Sequence, residues 1–221
     1  MFKEVQPWGE TLYTVLKGSH CSFNTDRAVI DLITNPYYGR MLFIDGVLQS
    51  AETDEHIYHS ELASLIPQKG RILIAGGAEG ALAKYVLSYA VDEVVMVDWD
   101  EKLVNHMKSE VFAGYAFEDP RLTVIHMDIL DYLNKAEPFD AILLDLLDPN
   151  TDEEVEWLSK VCKLSLTKTK RVAVNAGGDI ERKNCLIDLV DLFDPALDIT
   201  CKTVFIPSFQ QEWYLMAIHK R

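Results

Sequence analysis

Positive charge is scarce in this chain. Its 221 residues carry 21 Lys and Arg against 35 Asp and Glu, a formal net charge of −14 with the six His counted neutral. A general nucleic-acid binder gains affinity by placing cations on phosphates, so nucleic acid is excluded as a partner and a cationic or neutral one is expected. Long apolar runs are also missing. No stretch approaches the roughly 20 apolar residues of a membrane span, and MFKEVQPWGE at the start lacks the apolar core of a signal peptide. The expectation is a cytoplasmic protein that makes no membrane contact. Cysteine is sparse and scattered: Cys21, Cys162, Cys185 and Cys201 form no C-x-x-C pair and no Cys/His cluster. That speaks against a disulfide framework or structural zinc. Repeats, linkers and low-complexity segments are lacking as well. What is there is 48% hydrophobic and 10% aromatic, which excludes a disordered acidic chain and suffices for one ordinary core with a small appendage.

Two textures divide the chain. From Thr11 to Ser50, short runs (TLYTVLKG, DRAVIDLIT, YGRMLFIDG, VLQS) are broken by Asn35-Pro36 and Asp45-Gly46, and Arg27 to Ile33 alternates apolar with polar. This predicts a small antiparallel β-hairpin domain over 1–52. From Thr53 the texture becomes helical, with Ile57, Leu62, Leu65 and Ile66 as an apolar stripe before Pro67. Then RILIA, EVVMV, LTVIH, AILLD and RVAVN recur between helix-compatible stretches, as strands do when both faces of a parallel sheet are covered. The expected fold is α/β, a doubly wound Rossmann-like sheet over 53–221. ITCKTVFIP and EWYLMAIHK close it as an antiparallel pair at one edge.

The first of these strands runs into Gly76-Gly77-Ala78-Glu79-Gly80 and then a helix. Glycines there let the backbone approach a ligand, and the helix start offers free N–H groups. Asp98 ends the second strand about 20 residues on, where a carboxylate takes a ribose diol or caps the next helix. Glu79 suits a pyrophosphate poorly because its charge repels one. Asp128 and Asp145 end two further strands, and ligands of doubly wound sheets bind at that edge. Glu79, Asp98, Asp128 and Asp145 on one rim require a cationic ligand or raised pKa values. An adenosyl sulfonium with an amine tail, alongside a polyamine, satisfies that requirement.

Tyr38 to Gln49, Asp54 to Glu61, the Gly76–Gly80 turn, Asp98, Asp128, and Asp145 to Pro149 together resemble the spermidine synthases, the polyamine aminopropyltransferases. The resemblance implies an N-terminal β-hairpin domain before a Rossmann domain like that of the AdoMet methyltransferases. It implies transfer of an aminopropyl group from decarboxylated S-adenosylmethionine, a co-substrate, to a small cationic polyamine. Putrescine is the leading acceptor, spermidine and 5′-methylthioadenosine are the products, and no separate cofactor takes part. It also implies a homodimer or higher homo-oligomer. By position, Gly76, Gly77 and Gly80 would line the donor site with Gln49, Glu79 would take the donor's amine, Asp98 the ribose, and Asp128 with the Ile129 backbone the adenine. Asp145 would be the base with Tyr58 beside it, and His59, Asp148 and Phe209 would complete the acceptor side. A methyltransferase of the same fold, or a non-catalytic nucleoside or polyamine binder, is the alternative.

Departures fall mostly on the acceptor side and leave the donor side nearly whole. Leu146 and Leu147 stand where the family has two small hydroxyl residues, His59 where Gln is common, and Phe209 where a late Tyr is usual. Glu79 is one methylene longer than the usual Asp. His56 and His59 with Glu52 and Glu55 do not make a metal site, since only some share a helix face and no outlying ligand completes a set. The acidic run Asp148, Asp152, Glu153, Glu154 and Glu156 reads as a helix start or a lid over a cation. Trp99 either stacks on the adenosine or packs. Intact AdoMet carries a carboxylate that Glu79 would repel. Glu79→Gln is therefore expected to weaken discrimination against intact AdoMet, as read by competition binding.

Overall fold

The computed structural model describes residues 1–6, 9–194 and 196–221; Pro7, Trp8 and Pro195 lie outside the described residues. A seven-stranded sheet dominates. Its strands are β7 (Lys69–Gly76), β8 (Ala90–Val97), β9 (Leu122–Ile125), β10 (Ala141–Asp145), β11 (Arg171–Asn175), β12 (Leu197–Ile206) and β13 (Gln211–Lys220). Their spatial order is β12-β13-β11-β10-β7-β8-β9, with β7 to β11 parallel and β13 antiparallel to both of its neighbours. The chain winds outward from β7 through β8 to β9, then returns and winds the other way from β10 to β11. The strand order therefore reverses between β7 and β10, the place where doubly wound sheets open a crevice.

The apolar runs are explained by burial on both faces. Ile72 and Ile74 of β7 face a core with α1 (Glu55–Ser64), α2 (Ala81–Leu87) and α3 (Glu101–Met107), contributed by Leu62, Leu82, Val86 and Val104. Leu73 and Ala75 face the opposite core with α4 (Ile129–Lys135), α5 (Asp152–Ser165) and α6 (Ile180–Asp191), through Leu133, Leu158 and Leu186. Period-two alternation thus separates two helical layers. Tyr85, Val86 and Tyr89 pack in or against the first core.

The region expected to form one small sheet forms two. β1 (Phe2–Gln6) and β2 (Gly9–Tyr13) make an antiparallel hairpin, while β3 (Cys21–Asn24), β4 (Val29–Asn35), β5 (Gly39–Ile44) and β6 (Val47–Ala51) make a four-stranded meander. Only the first three residues of TLYTVLKG lie in a strand. Buried Glu4 joins the pieces, accepting from Tyr13 Oη at 2.7 Å and from the Leu48 amide at 2.9 Å. One face of the meander packs into the first core through Ile30, Leu32 and Leu42, and the other carries Ile33, Met41 and Phe43.

At the crevice, Asp145 of β10 pairs with Gly76 of β7. Gly76 has φ +83°, and a Cβ there would lie 2.0 Å from the Asp145 carbonyl oxygen. Only glycine fits. Gly76→Ala is expected to destabilise the fold by at least about 2 kcal/mol, through the left-handed φ and the clash together, measured by urea denaturation.

Candidate active site

The site is built from α1, the β7–α2 turn and the ends of β8, β10 and β11. α1 starts after Asp54 and buries Glu55, Tyr58, His59, Leu62 and Ala63, positions one helical turn apart on one face. The lower half of that stripe is apolar, as expected from sequence. The upper half is polar because it faces the strand ends.

Tyr58 Oη donates to Asp145 Oδ1 at 2.5 Å. His59 Nε2 lies 3.3 Å from Glu79 Oε1 and 4.0 Å from Asp145 Oδ2. Asp98 at the end of β8 accepts from the Asp100 amide at 2.8 Å, and Asp100, not Asp98, caps α3 by accepting from Leu103 N. Asp148 lies just beyond β10 and accepts from Asn175 Nδ2 at 2.7 Å.

Burial shapes the charges. It pushes Asp145 up to about 6, with Glu79 and Asp98 adding to the rise while His59 and the Tyr58 hydroxyl oppose it. Asp98 rises to about 6 by burial, with Asp100 and Glu79 contributing. Burial lifts Asp148 to about 7 despite the Asn175 hydrogen bond. Burial and the neighbouring Asp145 push Tyr58 well above its ordinary value, so it remains a hydroxyl donor. Asp98, Asp145 and Asp148 are thus three raised carboxyls crowded at one sheet edge, an arrangement that favours bound positive charge.

The sequence-predicted residues do not all gather equally. Glu79, Asp98, Asp145 and Asp148 share one electrostatic neighbourhood. Asp128 stands one strand further out and caps α4, its Oδ1 accepting from Leu130 and Asp131 amides, with Ile129 opening that helix. It lines a groove with Arg27, Trp99 and Lys160. Trp99 is exposed and covered by the Arg27 guanidinium at 4.6 Å. Gln49, Tyr58, His59 and Phe209 surround a small buried recess. Leu146 packs into the second core while Leu147 turns outward, so neither faces the recess with a polar group. The acids after Asp148 begin α5 with a capping box: Thr151 Oγ1 accepts from Glu154 N, and Glu154 Oε2 accepts from Thr151 N.

Several supporting residues escaped the sequence reading. Asn175, 4% exposed, is a hub: besides donating to Asp148, its Oδ1 accepts from Trp213 Nε1 at 2.8 Å and Gly177 N at 3.0 Å. Buried Asp54 accepts from Ser208 N at 2.6 Å and Ser208 Oγ at 3.0 Å, fastening the β12–β13 turn to α1. Phe209 on that turn packs against Trp213 in a tilted arrangement, ring centroids 4.8 Å apart. Asp54 and Glu55 were part of a resembling motif, but nothing local gave them partners.

Among known proteins, a family model described as Spermine/spermidine synthase domain matches residues 51–221. The chain belongs to this family. A spermine/spermidine synthase family relative, polyamine aminopropyltransferase 1 of Hyperthermus butylicus, is 41% identical over 123 residues, covering 51% of this chain and 42% of the relative. A polyamine aminopropyltransferase of Saccharolobus islandicus is 41% identical over 132 residues, 56% of this chain and 44% of that one. The matched stretch therefore spans less than half of these curated relatives. In fold, the chain is similar over its full length to a spermidine synthase solved with the transition-state analogue AdoDATO. That likeness has a TM-score of 0.87 at 19% identity and covers 80% of the solved chain. The α/β fold with a mostly parallel sheet and an antiparallel closing pair agrees with the family. Among the described residues no helix is long and apolar enough to cross a membrane.

Asp148 gives a stability test. Its folded value near 7 lies above the ordinary carboxyl value near 4, so the folded state holds a proton that the unfolded state has lost between those pH values. Stability therefore falls as pH rises through that window. Asp148→Asn, whose Oδ1 can still accept from Asn175, is expected to raise Tm by about 2–6 °C at pH 8 and by less at pH 5 in thermal scans without ligand.

Proposed function

We propose that this protein transfers the aminopropyl group of decarboxylated S-adenosylmethionine to a polyamine acceptor, with putrescine as the leading acceptor and spermidine as its product. The observation that carries this reading is the convergence of Tyr58, Asp145, His59 and Glu79 at the β7–β10 crevice. Family membership supports the same chemistry.

Each role follows from what the reaction demands. A primary aliphatic amine has a pKa near that of Lys, about 10.4, and is protonated and non-nucleophilic at neutral pH. Asp145 takes its proton, and its raised pKa makes it a better base than an ordinary carboxylate. Tyr58 fixes one carboxylate oxygen and leaves the other directed at the crevice. The amine nitrogen then attacks the carbon next to the sulfonium; the new C–N bond forms as the C–S bond breaks, and 5′-methylthioadenosine leaves neutral. The sulfonium needs no acid to depart, so positioning dominates the rate.

Glu79 binds the donor's amine and disfavours a donor bearing a carboxylate. Asp98 takes the ribose diol, Asp128 and the Ile129 backbone read the adenine, and Gly76, Gly77, Gly80 and Gln49 line the donor. Asp148, held by Asn175, takes the distal ammonium, with His59 and Phe209 closing that side. Residues 1–52 are read as the accessory β unit and 53–221 as the unit that carries the chemistry. Cytoplasmic residence and homo-oligomer formation belong to the same proposal.

Incubation with decarboxylated AdoMet and a panel of amines should release methylthioadenosine, read by chromatography; no release with any amine would refute the transfer. Asp145→Asn should lower kcat by about 10²- to 10⁴-fold. In wild type, kcat/KM for the amine should decline as pH falls through about 6 to 7, where Asp145 and Asp148 take up protons.

A further inference from the structure

We propose that Glu55 is a positioning residue that holds His59 as a built-in cation between Glu79 and Asp145. The inference deepens the aminopropyl-transfer reading and rests on it for its kinetic consequence, but its charge assignment can be tested without any turnover.

Hydrogen-bond chemistry sets the charge. His59 is 3% exposed, and each ring nitrogen faces acceptors: Nδ1 is 2.9 Å from the Glu55 carbonyl oxygen and 3.0 Å from Glu55 Oε2, while Nε2 faces Glu79 Oε1 and Asp145 Oδ2. A neutral imidazole has one N–H and would turn a lone pair toward a carboxylate on one side. Two N–H groups satisfy both sides. Glu55 is itself fixed from α2. Its Oε1 accepts from Lys84 Nζ at 2.7 Å and Tyr85 Oη at 3.2 Å, which leaves Oε2 for the ring.

The titratable groups facing His59 are Glu55 and Tyr58 from α1, Glu79 from the β7–α2 turn and Asp145 from β10; Tyr58 meets the ring edge-on at 4.7 Å. Lys84 and Tyr85 reach it only through Glu55. Burial alone would push the imidazole down, but Glu55 and Glu79 outweigh it and lift it to about 10.

This cation answers a difficulty of the chemistry. Carboxylates that bind an ammonium also strengthen its hold on its proton. A fixed positive charge near Asp145 keeps that carboxylate ionised and loosens the acceptor's proton, at the expense of amine affinity. Glu55 thereby trades acceptor binding for nucleophilicity. The proton passes from the attacking nitrogen to Asp145, and His59 keeps its own two.

The test combines NMR titration of His59 in the unliganded protein, its signal assigned by loss in His59→Gln, with pH–rate profiles of methylthioadenosine release. In wild type His59 should remain an imidazolium through pH 8. In Glu55→Gln it should be neutral by about pH 7, the upper end of the acidic limb. That variant should also show kcat reduced about tenfold, a lower KM for the amine, and an acidic limb moved upward. His59→Gln should move the limb alike, and adding Glu55→Gln to it should move it no further. A neutral His59 at pH 7.5 in wild type, or an unmoved limb in Glu55→Gln, overturns the proposal, and the first of these needs no variant to fold. Should wild type release no methylthioadenosine with any amine, the transfer reading falls, while the His59 titration still decides the charge.

Discussion

The close approach of β7 and β10 constrains the whole crevice. Asp145 sits opposite Gly76 in parallel register, and the missing Cβ lets the two strand ends touch at a separation no other residue permits. Because β7 continues into the turn that carries Glu79, the same contact brings Glu79 and Asp145 near each other. α1 then has to lie across both, which places Tyr58 and His59 over the acids. Strand order supplies the opening and glycine supplies the proximity, so the site depends on backbone geometry before any side-chain chemistry begins.

That proximity has an electrostatic consequence for the chain's net charge of −14. Most acidic side chains are solvated and cost little. The few at the crevice are partly dehydrated, and their raised affinity for protons records what burial costs them. The protein offsets part of this internally, with His59 between Glu79 and Asp145 and Lys84 on Glu55, which also faces His59. The remainder is left for a ligand. A cationic substrate would stabilise the folded state by the same interaction that binds it.

The legible features were those with a local period. Continuous apolar runs located all five parallel strands, the changed texture after RVAVN located the antiparallel closing pair, and the acids after Asp148 marked the start of α5. The glycine turn and strand-end acids were legible because their spacing is fixed by the chain. Other features have no local trace. The strand Phe2–Gln6 lies before the runs read from Thr11 onward, and it is joined to the meander by Glu4 reaching Tyr13 and Leu48. The polar face of α1 breaks helical amphipathicity where it meets the strand ends. Asn175 ends an ordinary buried strand, and only its distant partners show why an amide stands there: it donates to Asp148, 27 residues before, and accepts from Trp213, 38 residues on. Asp128 shows the reverse: expected as a strand-end acid, it lies three residues beyond β9 and caps α4.

The tie between Asp54 and Ser208 spans 154 residues of sequence. Together with Trp213 on Asn175, it makes one flank of the crevice depend on a hairpin that is synthesised after every parallel strand of the sheet. The flank around Glu79 and Asp98 is assembled from earlier segments and can take shape while that hairpin is still being made. The Asn175 hub beside Asp148 and the recess beside Phe209 cannot, since Trp213, Ser208 and Phe209 do not yet exist. Synthesis thus imposes an order on the two halves of the crevice. A nascent chain passes through a stage in which one half is formed and the other is open to water.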